Sequence, residues 1–234
     1  MMQQKRGGLI VALDVPRRAD ALKLVEELGD AASFYKIGLE LFAAGEGRQL
    51  LDDLAKRDLS VFADLKLFDV PATVARATAT LANSGAKFLT VHGNDAMMAA
   101  AAKAKGDLKI LAVTALTSLD AGDMNDLGFD CNVRDVVLSR ARRALACGCD
   151  GVVSSGLEVA ALRAECGEKL ILVTPGVRPV INNEDDQKRT SPPGDIIRSG
   201  GDYVVVGRPI RDAKNPRAAA MAINAELAAA VKKE

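Results

Sequence analysis

The residues whose types and spacing best suit chemistry lie in the segment VFADLKLFDVPATV, residues 61–74. There Asp64, Lys66 and Asp69 form the pattern D-x-K-x-x-D at the end of an apolar run. Such a run is typical of a buried strand, and because side chains alternate along a strand, Asp64 and Lys66 should project to the same side. Carboxylates and ammonium groups are rarely buried without partners. The sequence therefore predicts a charged site held on a rigid element.

The spacing alone leaves two interpretations of this pattern open. Asp64 and Lys66 can form a structural ion pair at a strand end, and many such pairs contribute little to stability. Asp69 favours a functional role, because Pro71 suits the first turn of a helix and makes Val70 the predicted N-cap. Asp69 then lies just outside that helix and is available for another purpose.

The composition argues against several classes of partner. The chain has 234 residues with 31 basic and 31 acidic side chains, so no charge excess indicates nucleic acid or a basic partner. No apolar run approaches the roughly 18 residues of a membrane helix. The short apolar run near the start ends at Asp14, which argues against a signal peptide and favours the cytoplasm.

The sequence predicts neither a metal nor a cofactor. The four cysteines are Cys131, Cys147, Cys149 and Cys166, and their spacing does not match a zinc site. Buried or half-buried free thiols are the favoured interpretation. The chain has neither a G-x-G-x-x-G nor a P-loop pattern. Its single histidine, His92, is interpreted as a hydrogen-bonded structural residue with no chemical role.

Short β-branched runs alternate with helical stretches along the chain. Eight runs begin at Leu9, Phe34, Val61, Phe88, Lys109, Gly151, Leu170 and Tyr203, and helical spacing is clear over 20–28, 73–83, 133–146 and after Asn215 and Pro216. Continuous apolar strands suit a parallel sheet covered on both faces. The pattern predicts an α/β fold, a (β/α)8 TIM barrel formed by one domain over residues 1–234. A doubly wound open sheet is the alternative.

The predicted barrel gathers polar residues at one rim, because the active sites of such barrels lie at the carboxyl ends of the strands. The residues that end or follow the predicted strands are Asp14, Lys36, Asp64, Lys66, His92, Thr117, Arg178, Gly207 and Arg208. Packing alone does not explain so many charged groups drawn from separate segments.

Two segments at this rim suit a phosphate group. The loop after the seventh strand, residues 176–195, is polar and longer than a routine connection, which favours a lid over a solvated loop. After the eighth strand, Gly207 permits close approach by a ligand and Arg208 supplies a bidentate fork. The loops after strands seven and eight often bind phosphate in barrels. A surface salt bridge is the alternative role for Arg208.

The segment DLKLFDVPATV resembles the signature of the orotidine 5'-monophosphate decarboxylase family. Further segments follow in that family's order along nearly the whole chain: ALDVP around Asp14, YKIGLELF around Lys36, VTALTS around Thr117, TPGVRP around Arg178, and VVVGRPI. The chain departs from the commoner pattern in having VPAT where IPNT is usual. That change leaves the charged residues intact.

This resemblance implies loss of carbon dioxide from orotidine 5'-monophosphate to give uridine 5'-monophosphate in pyrimidine biosynthesis, without metal or cofactor. The implied catalytic residues are Lys36, Asp64, Lys66 and Asp69. The implied substrate-binding residues are Asp14, Lys36, Thr73, Thr117, Ser118, Arg178, Gln187, Gly207 and Arg208. In this family Asp69 and Thr73 reach the neighbouring subunit's site, so the resemblance also implies a homodimer.

The expected mechanism is electrostatic. Decarboxylation leaves a carbanion at C6, and the sequence has no sign of an electron sink such as pyridoxal phosphate. Lys66 can stabilise the carbanion and donate the proton, while Asp64 and Asp69 keep it charged and in place. Two alternatives stay open. One is a magnesium-dependent sugar-phosphate enzyme of the same suprafamily, a 3-keto-gulonate-phosphate decarboxylase or hexulose-phosphate synthase; the other is a non-catalytic barrel that binds a phosphate ligand.

Overall fold

The computed structural model of the chain describes residues 7–116, 120–126, 128, 130, 132–177 and 190–231. Within these ranges, parallel strands close into an eight-stranded barrel in chain order, and the last strand pairs with the first. The strands are β1 Gly8–Ala12, β2 Phe34–Gly38, β3 Ser60–Leu67, β4 Phe88–His92, β5 Lys109–Val113, β6 Gly151–Val153, β7 Ile171–Thr174 and β8 Tyr203–Val206. Each strand corresponds to one of the predicted runs, although β1 and β3 begin one residue earlier than predicted, so the (β/α)8 barrel is confirmed and the open sheet is excluded.

Helices connect successive strands and cover the outside of the barrel. They are α1 Arg18–Leu28, α2 Leu39–Ala43, α3 Gly47–Ala55, α4 Pro71–Ala82, α5 Asp95–Ala104, α6 Ala121–Asp126, α7 Val133–Ala146, α8 Val159–Cys166, α9 Pro193–Arg198, α10 Arg208–Arg211 and α11 Pro216–Val231. The helical stretches predicted from spacing correspond to α1, α4, α7 and α11. In the part of the chain that the structure describes, no helix is long and apolar enough to span a membrane.

Local sequence signals set where two of these helices begin. Helix α4 begins at Pro71 with Val70 as its N-cap, because proline is pre-organised for the first helical turn. Helix α11 begins at Pro216, and the side chain of Asn215 accepts a hydrogen bond from the backbone N–H of Ala218 at 2.9 Å. Both predicted starts are confirmed.

Aromatic side chains fill the amino-terminal end of the barrel. The ring centroids of Phe34 and Phe88 lie 5.1 Å apart, and the Tyr203 ring meets both edge-on at 5.8 and 5.3 Å. A side chain on Gly8 would not fit, because its Cβ would lie 2.4 Å from the Tyr203 ring. The aromatic cluster closes this end of the barrel, and the charged residues stand at the opposite, carboxyl end.

The cysteines that the structure describes are free thiols, as predicted. Cys149 is buried, whereas Cys147 and Cys166 are half-buried. Burial raises the pKa of the Cys149 thiol to about 12, so this thiol is protonated and unreactive at neutral pH. Cys131 lies outside the described residues. One barrel accounts for the described chain, while the extent of the domain over residues 1–234 stays a prediction.

Candidate active site

A cavity of about 430 Å³ opens at the carboxyl end of the barrel. This volume is within the range of small-molecule sites. Apolar side chains line part of it, including Phe62, Val113, Val153 and Val205. The predicted site residues that line it are Asp14, Lys36, Asp64, Lys66, Gly207 and Arg208. The fold therefore brings together residues that lie in β2 and β3 or follow β1 and β8, and that are far apart in the sequence.

Four of these side chains form a line of alternating charge. The Lys36 ammonium donates to Asp14 Oδ1 at 2.8 Å and lies 3.6 Å from Asp64 Oδ2. The Lys66 ammonium donates to the same Asp64 Oδ2 at 2.9 Å. The Lys36 and Asp64 side chains are each 12% exposed, whereas that of Lys66 is 30% exposed. Lys66 is thus the cation of this pair that a ligand in the cavity reaches more readily.

Asp64 is ionised although the residue is only 9% exposed. Burial raises the pKa of its carboxyl, but the charges of Lys36 and Lys66 and hydrogen bonds from Lys66 and Thr90 outweigh burial, so the pKa lies below its ordinary value. A buried charge is tolerated only when its partners compensate the lost hydration. The two lysines and Asp64 therefore form one interdependent unit.

The backbone of β3 departs from a regular strand within this unit. Pairing with β2 is regular as far as Asp64, but the register with β4 shifts between Ala63 and Leu67. Lys66 has a φ of 47°, in the left-handed region that residues other than glycine rarely adopt. The two side chains do meet on the same side, as predicted, since the Lys66 ammonium lies 2.9 Å from Asp64 Oδ2, but the backbone between them is not the regular strand that the prediction assumed. The contact between Lys66 and Asp64 thus forms within a stretch of shifted register and positive φ.

Sequence reasoning missed three residues of this site. Thr90 on β4 is fully buried and bonds to both Asp64 and the backbone of Lys66. Arg211 lines the cavity and donates to the backbone carbonyl of Asp14 at 2.6 Å. A Cβ on Gly38 would lie 3.1 Å from Asp14 Oδ1, so a glycine leaves room for the Asp14–Lys36 pair. The sequence contains a signal for two of these residues. Thr90 is a hydroxyl residue within the apolar run FLTVH, and Arg211 follows Arg208 at the helical i, i+3 spacing.

Neither Asp69 nor Thr73 is among the described residues that line the cavity of their own chain. Asp69 is exposed, and its Oδ1 accepts a hydrogen bond from the Val70 N–H at 2.6 Å. Its neighbours Phe68 and Val70 are 71% and 63% exposed. Within one chain the charged array therefore consists of Asp14, Lys36, Asp64 and Lys66, without Asp69.

Four predicted substrate-binding residues lie outside the described residues, namely Thr117, Ser118, Arg178 and Gln187. The same holds for residues 178–189 of the predicted lid. Among the described residues close in sequence to these positions, Leu116 and Gly176 line the cavity. The roles of these four residues and of the lid stay predictions.

His92 ends β4, as predicted, and is half-buried. Its ring meets the Phe68 ring edge-on at 5.4 Å. Burial lowers the pKa of His92, and the positive charges of Arg140 and Lys66 lower it further, so the ring is neutral at neutral pH. That His92 has no chemical role stays a prediction.

The fold and the site define a class of protein: a (β/α)8 barrel with a lysine–aspartate array and arginines around one carboxyl-end cavity. Within that class, the chain belongs to the Orotidine 5'-phosphate decarboxylase / HUMPS family, whose model matches residues 7–223. The family resemblance inferred from the motifs is confirmed.

Individual relatives agree with this assignment over nearly the whole chain. An orotidine 5'-phosphate decarboxylase of Methylococcus capsulatus is 60% identical over 220 residues, covering 94% of this chain and 91% of the relative. One of Nitrobacter winogradskyi is 49% identical over 229 residues, covering 97% and 95%. The crystal structure of orotidine 5'-phosphate decarboxylase from Lactobacillus acidophilus has a TM-score of 0.84 at 35% identity, covering 95% of this chain and 99% of that one.

The left-handed backbone at Lys66 predicts that glycine at this position gives a more stable protein than alanine does. Lys66→Gly should be more stable than Lys66→Ala by about 1 kcal/mol, because both lose the side chain but only alanine keeps the penalty of a positive φ. Urea unfolding of the two variants measures this difference. At Ala63, where the strand is regular, Ala63→Gly should be destabilising. A Lys66→Ala protein as stable as Lys66→Gly would show that the backbone at this position is not strained.

Proposed function

We propose that this protein decarboxylates orotidine 5'-monophosphate to uridine 5'-monophosphate in pyrimidine biosynthesis, without metal or cofactor. One observation carries the proposal: the Lys66 ammonium, held by the buried Asp64 carboxylate, faces a cavity of nucleotide size. The relatives that bear the name of this activity are similar over nearly the full chain. A cytoplasmic location stays a prediction.

Lys66 has two roles in the proposed reaction. The bond between C6 and the carboxylate breaks, carbon dioxide leaves, and the electron pair stays on C6. A fixed ammonium beside the developing carbanion stabilises it without reorganisation. Lys66 then donates a proton to C6 as general acid and regains one from solvent. These roles need a cation at one fixed position, and the bond of 2.9 Å to Asp64 supplies that position.

Asp64 and Lys36 support Lys66 in this scheme. Asp64 is shared between the two ammonium groups and offsets the repulsion between them. Asp64 would also lie near the substrate carboxylate, and their repulsion would be relieved as carbon dioxide leaves. Because ground-state destabilisation of this kind is contested, we rank it below carbanion stabilisation.

The residues that would bind the rest of the substrate are assigned by the family resemblance. Asp14 and Lys36 would bind the ribose hydroxyls, and Thr117 and Ser118 the edge of the pyrimidine. Arg178, Gln187, Gly207 and Arg208 would hold the phosphate. The cavity position of Arg208 and Gly207 supports the last assignment.

We further propose a homodimer in which Asp69 and Thr73 complete the partner's site. In one chain Asp69 stands on an exposed turn between Phe68 and Val70, which are 71% and 63% exposed. Large exposed apolar side chains of this kind mark interaction surfaces. A second copy of the chain that covers this turn would bury both side chains and place Asp69 near a neighbouring site.

The direct test is the ultraviolet absorbance of the purified protein mixed with orotidine 5'-monophosphate, with and without EDTA. The spectrum should change to that of uridine 5'-monophosphate at a rate that EDTA does not affect. Loss of turnover with EDTA would favour the magnesium-dependent sugar-phosphate relatives. Tight binding of the nucleotide with its recovery unchanged would instead favour a non-catalytic barrel.

Replacement of Lys66 tests its double role in the same assay. Lys66→Ala should lower kcat at least about 10⁴-fold, because the variant loses both the electrostatic and the general-acid contribution. Circular dichroism should show that the fold is retained. Lys23→Ala, at a side chain that is 77% exposed, is the control and should have wild-type activity. Residual Lys66→Ala activity within tenfold of wild type would remove Lys66 from its role.

Replacement of Arg208 tests whether phosphate binding serves the chemistry. Arg208→Ala should lower kcat about tenfold or more as well as raise KM, because binding energy from a remote group is used to close and dry the site. Arg142→Ala, which removes an exposed ion pair with Glu165, is the control. An Arg208→Ala enzyme with unchanged kcat and only a raised KM would contradict this expectation.

Mixing of inactive variants tests the shared site. If Lys66 and Asp69 of different chains meet in one site, a mixed dimer of Lys66→Ala and Asp69→Asn chains has one intact site. After the subunits exchange at random, about half of the dimers are mixed, and each mixed dimer has one intact site of two. The mixture should therefore regain about a quarter of wild-type activity. A mixture of Lys66→Ala and Asp64→Asn is the control and should stay inactive, because both residues belong to the same chain's site. Equal behaviour of the two mixtures would exclude the shared site.

A further inference from the structure

Thr90 links the two parts of the Asp64–Lys66 pair through a single hydroxyl. Its Oγ1 donates to Asp64 Oδ1 at 2.9 Å and accepts from the backbone N–H of Lys66 at 2.9 Å. Thr90 is 0% exposed and lies in the middle of β4. The hydroxyl is thus shielded from water, where its bonds to a charged partner are strongest.

The backbone that Thr90 holds is the irregular part of β3. The register between β3 and β4 shifts between Ala63 and Leu67, so this stretch departs from regular ladder pairing. Within the shift, the N–H of Lys66 donates a hydrogen bond to the Thr90 hydroxyl. A positive φ persists only where the surroundings impose it. The Thr90 hydroxyl is one of the groups that impose it here.

Asp64 uses its two carboxylate oxygens for different partners. Oδ2 accepts from Lys66 and lies near Lys36, whereas Oδ1 accepts from Thr90. The bond from Thr90 therefore sets the rotation of the carboxylate and, with it, the position of Oδ2. The cavity is lined by Asp64 and Lys66, and Thr90 is not among its described lining residues.

We propose that Thr90 is a positioning residue that fixes the Asp64 carboxylate and the Lys66 backbone in the geometry that the reaction needs. The inference rests on the proposed decarboxylase function. Because Thr90 acts through Asp64 and Lys66 and does not line the cavity, its loss should lower kcat and leave KM nearly unchanged.

Two substitutions separate the hydroxyl from the shape of the side chain. Thr90→Val keeps the shape without the hydroxyl and should lower kcat about 10- to 100-fold, the range for loss of a hydrogen bond to a charged group. KM should change less than about threefold, since the phosphate and ribose contacts remain. Thr90→Ser restores the hydroxyl and should have kcat within about threefold of wild type. If the valine variant does not fold, Thr90→Cys, a weak donor and acceptor, should have an intermediate kcat.

Thr78→Val is the matched control. Thr78 is also 0% exposed, but its hydroxyl has no hydrogen-bond partner among the residues that the structure describes. The substitution should therefore leave both kcat and KM unchanged. An equal loss of kcat in the two valine variants would show that buried threonine hydroxyls act only through general packing.

The protonation of Asp64 gives a readout that does not depend on turnover. In the free protein, Asp64 is faced by Lys36 from β2, by Lys66 from its own strand and by Thr90 from β4, with Asp14 beyond Lys36. A bond from Thr90 favours the ionised carboxylate. Titration of ¹³C-labelled aspartate by NMR, with Asp64→Asn for assignment, should give a higher Asp64 pKa in Thr90→Val than in wild type. The acid limb of the kcat profile should move to higher pH in the same direction.

The outcomes distinguish failure of this inference from failure of the proposed function. Unchanged kcat and an unchanged Asp64 pKa in folded Thr90→Val would overturn the role of Thr90, and so would a Thr90→Ser enzyme as impaired as Thr90→Val. If wild-type protein does not convert orotidine 5'-monophosphate, the proposed function fails. In that case a shifted Asp64 pKa would still support the positioning of Asp64 by Thr90.

Discussion

The structure of the site depends on one constraint: a buried carboxylate must be shared by two ammonium groups. Asp64 is nearly inaccessible, and the charges of Lys36 and Lys66 together with the Thr90 hydroxyl compensate the loss of water. Those partners come from the neighbouring strands β2, β3 and β4, so their contacts with Asp64 depend on the register in which these strands pair. The same arrangement leaves Lys66 directed at the cavity, where a cation can act on a ligand.

The sequence alone predicted the barrel and the position of its rim, because those signals are local. Continuous apolar runs mark strands that are buried on both faces, and prolines at Pro71 and Pro216 mark where helices begin. Once eight parallel strands are assumed, every carboxyl end lies at the same rim. Asp14, Lys36 and Arg208 could therefore be placed at one site without any knowledge of their distances.

The features that were missed depend on contacts between segments. The register shift of β3 against β4, and the left-handed backbone of Lys66 within it, have no sequence signal as clear as a glycine would give. The bond between Thr90 and Asp64 depends on that same register. For Asp69, the family resemblance implied a place in the neighbouring subunit's site, and in one chain Asp69 is exposed, so this role stays a prediction. Its proposed role depends on a second copy of the chain.

The central claim is that Lys66 stabilises negative charge at C6 and transfers a proton to it. The most direct measurement is exchange of the C6 hydrogen of uridine 5'-monophosphate for deuterium in D₂O, followed by NMR in the presence of the protein. The account predicts exchange at C6 with wild-type protein and none with Lys66→Ala, because proton removal is the reverse of the final step. Equally fast exchange with the Lys66→Ala variant would contradict it.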